Sequence, residues 1–295
     1  MSRASYSYQP GRTKDDGEAE RNSSSVHSTS GRYLNTLWCY SDLHTFPIGQ
    51  TMLSSSAPAE ILIKRLRRST GLDEQELADL RTLPATLREI RKNETISCEG
   101  DRVHHCVLIV DGFLARFLDT REGKRQILSF YVPGDIPDLQ SLHLPTMDHS
   151  LGSIAPSKIA MIPHQALADV SGRNPRIASA LWRETLIDGS VTRRWVRCLG
   201  RLSARQRVAH MLCELYVRLD AVGLADRPIR LMTQQDIGDA MGLTVVQINR
   251  TLRDLRSEGL IAIEKRHLTI VHRERLQKIA EFDPFYLHLD PESRS

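Results

Sequence analysis

The 295-residue chain is 40% hydrophobic and 26% charged, a soluble globular composition able to carry two ordinary domains, and its formal charge of +4 is mild, so the distribution of charge matters more than the total. Its longest apolar runs, such as 106–110, are too short to span a bilayer, and no apolar core resembling a signal peptide opens the chain, which places it in the cytoplasm. Five cysteines, Cys39, Cys98, Cys106, Cys198 and Cys213, odd in number and without a Cys-x-x-Cys pair, argue for reduced thiols over a disulfide scaffold or a zinc knuckle.

Residues 1–56 are rich in Ser, Arg and Gly with few large aliphatics, so they are expected to form a disordered tail. Translation from Met52 would remove almost all of it. From Ile61 to Leu83, Leu62, Leu66, Leu77, Leu80 and Leu83 fit short helices, and strands begin near Leu87. Gly100, Gly112, Gly123 and Gly134 then recur at about eleven-residue intervals between runs such as Val107–Val110, Phe113–Leu118 and Ile127–Tyr131, the rhythm of a small antiparallel barrel. Ser153–Ile162 supplies later strands, and His164–Val170 returns to helix.

Between Pro175 and Gly200 lies a long helix in which Ile187, Val191, Trp195 and Leu199 recur at spacings of four. Such an apolar row along one face needs a partner, and it is expected to pair with the same helix of a second subunit. Ala204–Leu219 is a further helix expected to bury Val208, Met211, Leu212 and Leu215.

Next, Thr233 can cap a helix whose inward face is Ile237, Ala240 and Met241, and Gly242 supplies the permissive backbone that ends it. Thr244 with Gln247 approximates a capping box, and Ile248, Leu252 and Leu255 form the buried stripe of a second helix. This is a helix-turn-helix, and Leu260–Ile263 and Leu268–Val271 add a two-stranded wing. Val245, Val246, Gln247, Asn249 and Arg250 fall on the outer side of the second helix, where base edges are read; Thr233, Thr244, Arg253, Lys265 and Arg266 are placed for phosphates.

A barrel, a connecting helix and a winged helix-turn-helix, in that order, resemble the Crp/Fnr superfamily of bacterial transcription factors over roughly Ile61–Val271. The resemblance is carried by Glu99-Gly100-Asp101, Asp111-Gly112, the hairpin from Glu122 to Ile127, Pro133-Gly134-Asp135, and the helix-turn-helix with Arg250. Met147–Ser150 and Arg207–Leu215 look like a subgroup whose effectors are mostly undefined. The fold class implied is α+β: an antiparallel jelly-roll barrel, a long dimerisation helix and a C-terminal winged helix-turn-helix. The division expected is a tail at 1–56, a cyclic-nucleotide-binding-like sensor barrel at 57–172, a dimerisation helix at 173–200, the DNA-binding domain at 201–275 and a C-terminal tail at 276–295.

The resemblance implies a homodimer on a pseudo-palindromic operator that recruits or obstructs RNA polymerase, with Arg250 at a base-reading position. Val246 stands where better-known members carry glutamate; valine cannot accept from cytosine but can meet a thymine methyl, so the half-site should differ from theirs. In the sensor, an ungapped reading after Asp135 puts Asp138 and Leu139 where the family places a Gly-Glu pair for ribose, and His149 with Ser150 where it places an Arg-Ser pair for the cyclic phosphate. Cyclic AMP is therefore not the expected effector. Neither an iron-sulfur cluster, for which Cys39 stands without close neighbours, nor haem is expected, and Asp138, His143, His149 and Ser150 are the candidate effector residues, with Asp148 beside them. Two rival readings are a cupin-type metal enzyme and a partner-binding module. The enzyme is disfavoured because the adjacent His104 and His105 face opposite sides of a strand. No enzymatic activity is expected.

Overall fold

The computed structural model describes residues 57–289, apart from 227–228, 231 and 266. The expected N-terminal tail, Met52 and Cys39 lie outside the described residues. Helices α1 (Ala57–Ser69) and α2 (Glu74–Arg81) lead in, the second opened by an Asp73–Glu76 capping box, and Leu62, Leu66, Leu77 and Leu80 are buried as their spacing requires.

Seven antiparallel strands follow: β1 (Thr86–Ile90), β2 (Thr95–Ser97), β3 (His105–Asp111), β4 (Leu114–Asp119), β5 (Arg125–Tyr131), β6 (Ser150–Ser153) and β7 (Ser157–Pro163). They form two sheets, ordered β1-β7-β3 and β2-β6-β4-β5, and Val107, Ile109, Leu114, Tyr131, Leu151 and Ile159 meet inside. The opposite face of β4 and β5 carries Ala115, Phe117, Ile127 and Phe130, which join the core of the C-terminal helices. Both faces are thus covered, which is why these strands read as apolar runs with weak alternation.

After the barrel come α3 (His164–Arg173) and α4 (Pro175–Arg201), the latter started by Asn174 as cap with proline in the first turn. The row Ile187, Val191 and Trp195 is buried inside its own chain, which corrects the expectation that it faces a second subunit: Trp195 meets Phe130 edge-on at 5.7 Å, and its indole N–H donates to Glu214 at 3.2 Å. Leu199 is half-buried near Gly242. A different stripe of α4 is bare. Trp182 (69% exposed), Leu186 (58%) and Val196 (66%) lie with Gly189 and Arg193 on positions that alternate by four and three, the spacing of a helix-pairing seam.

Helix α5 (Ala204–Ala221), capped by a Ser203–Gln206 box, is buried on most sides, Val208, Met211, Leu212 and Leu215 included. Its Arg218 donates to the Phe130 carbonyl and to Asp135, and Asp135 also faces Arg65 of α1, so charges from three elements meet at the barrel turn. Gly134 of that turn has φ +93°, and a Cβ there would stand 2.9 Å from Val222 and 3.2 Å from the Arg65 side chain. Only glycine fits so close an approach.

The remaining elements are strand β8 (Ile229–Arg230), helices α6 (Gln234–Met241) and α7 (Val245–Ser257), wing strands β9 (Ile261–Glu264) and β10 (His267–Ile270), and α8 (Arg273–Ala280), ending in a 3-10 turn at Pro284–Leu287. Strand β8 completes the wing sheet in the order β8-β10-β9. Residues 276–289, expected as part of a tail, are packed: Leu276, Ala280, Phe282, Tyr286 and Leu287 are buried against α4 and α5, and residues 290–295 lie outside the described residues. Among the described residues no helix is long and apolar enough to cross a membrane.

Candidate nucleic-acid interface

Two capping boxes fix the helix pair. Thr233 accepts from the Asp236 amide while Asp236 accepts from Thr233, and Thr244 and Gln247 do the same one helix later. Each such cap stabilises its helix by about 1 kcal/mol. Between them Gly242 is left-handed, and Gly238 lets the Leu243 carbonyl come so close that a Cβ would stand 2.6 Å from it. Ile237, Ala240, Met241, Ile248, Leu252 and Leu255 close the joint from inside.

With the apolar stripe of α7 inward, its other face is presented to solvent. Val245, Val246, Gln247, Asn249, Arg250 and Arg253 are all exposed, Val246 by 77% and the Arg250 side chain by 79%. Arg250 approaches Asp254 at 4.0 Å, a contact too long and too wet to hold it. Gln247 spends its side-chain oxygen on Thr244, which leaves its NH2 group as the end that can reach a base. Asn249 accepts from Gln234 of α6 at 2.5 Å, so its oxygen too is engaged. Thr233 is half-buried and Thr244 exposed, both at helix N-termini where amides favour anions. Lys265 is exposed at the wing tip with φ +45°, and Arg266 lies outside the described residues.

The four candidate effector residues do not form one group. Asp138 is buried, its carboxylate accepts from the Val107 amide at 2.8 Å, and burial raises its pKa to about 6. Ser150 accepts from the Glu99 amide, and His143 is exposed at the end of the 3-10 turn Leu139–Leu142. His149 is buried: its Nε2 accepts from Arg116 Nε at 3.1 Å and its Nδ1 pairs with Asp148 at 2.5 Å. Burial first, and then the Arg116 charge, lower the proton affinity of His149 against the pull of Asp148.

Sequence reasoning missed Arg116, Tyr131 and Asp188. The Arg116 guanidinium enters the barrel, where Nη1 donates to Asp188 of α4 at 2.7 Å, Nη2 to the Pro137 carbonyl and Nε to His149; Tyr131 donates to the other Asp188 oxygen at 2.8 Å. A signal existed, since Leu114, Arg116 and Leu118 share one side of β4 and a charge on a core-facing position asks for a partner. Among the described residues no group of three or more His, Cys, Asp or Glu is arranged to hold a metal ion.

Residues 87–174 match the family model of a cyclic nucleotide-binding domain, and residues 206–279 that of a Crp-like helix-turn-helix domain. The chain is 28% identical over 215 residues to the fumarate and nitrate reduction regulatory protein of Escherichia coli strain K12, a span of 71% of this chain and 84% of that one. It is 28% identical over 200 residues to the anaerobic regulatory protein of Pasteurella multocida, covering 68% and 73%. Its fold matches the structure of FixK2 from Bradyrhizobium japonicum with a TM-score of 0.61 at 28% identity, over 67% of this chain and 98% of that chain.

Proposed function

The chain belongs to the Crp/Fnr superfamily of DNA-binding transcriptional regulators, and from that premise we propose that it acts as a homodimer in the cytoplasm, reading a pseudo-palindromic operator and recruiting or obstructing RNA polymerase. The observation that carries this reading is the exposed face of α7, held by two capping boxes and offering Val245, Val246, Gln247, Asn249 and Arg250 to a major groove, with Arg253 and Lys265 beside it for phosphates. Arg250 reads guanine, and Val246 meets a thymine methyl. The paired copy is held by the bare stripe Trp182, Leu186 and Val196 in place of the row first expected.

Regulation does not run through cyclic AMP in this reading, because all three Arg116 nitrogens already have acceptors from the chain and His149 is a neutral acceptor toward it. No catalytic step is part of it. Selection of bound sequences from a random DNA pool tests the function: a palindromic consensus supports it, and uniform recovery of all sequences rejects it. Micromolar binding of cyclic AMP by calorimetry would reject the effector reading.

A further inference from the structure

The inside of the barrel contains a receptor for a carboxylate, and the chain fills it with its own side chain. Arg116 on β4 and Tyr131 on β5 present one N–H and one O–H to the two oxygens of Asp188, at 2.7 and 2.8 Å, a two-donor recognition of a single carboxylate. The rest of Arg116 is used to aim it, through the Pro137 carbonyl and His149 Nε2. Because Nε2 accepts, the hydrogen of His149 is on Nδ1 and is donated to Asp148, so the imidazole is a neutral positioning group.

The burial is asymmetric. Arg116 is 12% exposed and Tyr131 is buried, whereas Asp188 is 25% exposed, so the receptor is fixed and its occupant is the part that faces solvent. Receptor and occupant also come from different units, the barrel and α4, and α4 continues past Trp195 toward the DNA-binding helices.

We propose that Arg116 and Tyr131 form a carboxylate-binding site in which Asp188 is an internal ligand that ties α4 to the barrel, and for which a small free monocarboxylate can substitute. The buried Asp138 and the neighbouring Asp148 place further negative charge around Arg116, which disfavours a dianion such as phosphate or sulfate. The effect on DNA rests on the function proposed above; the binding step does not.

Acetate, the end of an aspartate side chain, is the probe. Full-length wild type, Asp188→Ala and Asp188→Ala with Arg116→Gln are compared in sodium acetate and sodium chloride at equal ionic strength, by thermal unfolding and by saturation transfer from the acetate methyl protons. Asp188→Ala is expected to lower Tm by about 5–10 °C, and tens of millimolar acetate to restore about half of that, with no acetate-specific effect on the double variant or on wild type beyond about 1 °C. Operator affinity of Asp188→Ala should fall about 10-fold and recover with acetate. Should Asp188→Ala not fold, Asp188→Asn keeps the shape and loses the charge, and weaker operator binding with wild-type binding of random DNA is expected. Equal responses to acetate and chloride, or an acetate response that survives Arg116→Gln, would overturn the site. Acetate rescue of stability without any change in operator affinity overturns the coupling to DNA, while loss of all DNA binding by wild type itself faults the function and leaves the site standing.

Discussion

Arg250 and Arg253 stand one helical turn apart, and the roles proposed for them, base contact and phosphate contact, can be separated by mutation. Arg250→Ala should cost about 1–3 kcal/mol on the operator and little on random DNA, because a bidentate contact to guanine is lost; equal losses on both DNAs in a binding titration would remove the assignment. Arg253→Ala should weaken both alike and reduce the slope of log K against log salt by about one. Asp138 offers a test of a different kind. Burial raises its pKa to about 6, so the folded chain holds this proton more tightly than the unfolded chain does. Its contribution to stability is therefore fully present below the ordinary aspartate value near 4 and is lost as pH rises through 6. Asp138→Asn keeps an acceptor for the Val107 amide without the charge, so its stability relative to wild type should climb between pH 4 and 7, by up to about 3 kcal/mol in urea unfolding. The exposed face of α7, on which base reading is proposed, was legible from spacing, since caps and stripe orient the helix by local rules. Arg116 was not, because its meaning is given by Asp188, 72 residues away.

At the scale of elements, α4 and the C-terminal turn show where periodicity stops. Two faces of α4 are apolar, one running through Ile187, Val191 and Trp195 and the other through Trp182, Leu186 and Val196. Spacing says that both exist, but not which is covered by the chain itself. Trp182→Glu with Leu186→Glu should give a folded monomer by sedimentation, while Val191→Glu should instead unfold the chain, since it would bury a charge without a partner. The C-terminal turn is anchored by Tyr286, whose hydroxyl donates to the buried Glu214 at 2.5 Å and whose ring lies near Arg194 of α4, while Arg197 pairs with Glu281. Tyr286→Phe keeps the ring and deprives Glu214 of a donor, an expected loss of about 1–3 kcal/mol in denaturant unfolding. This anchoring was not read from the sequence because the stretch is short and lacks a helix-length apolar pattern; its partners are on α4 and α5.

Across the described residues, one apolar core runs from Phe117, Ile127 and Phe130 of the barrel through α5 to Ile248 and Leu255 of α7. A chain of charges ties α4, α1, the barrel turn and α5 together, from the half-buried Glu184 through the buried Arg65, Asp135 and Arg218 to Glu214. Barrel and helix-turn-helix are consequently expected to unfold in one calorimetric transition, and Arg218→Ala, by removing the guanidinium between the buried carboxylates Asp135 and Glu214, should cost about 3–5 kcal/mol and lower both together. The sequence by itself determined the order of elements, the helix caps, the glycine turns and the solvent-exposed face of α7, because each depends on residues within about four positions of one another. Only the tertiary structure decided which face of α4 is left bare, that the C-terminal turn docks, and that a barrel arginine closes on a helix aspartate. Those outcomes depend on complementary surfaces and charges brought together across the chain, and no local spacing encodes which partner a buried group will meet.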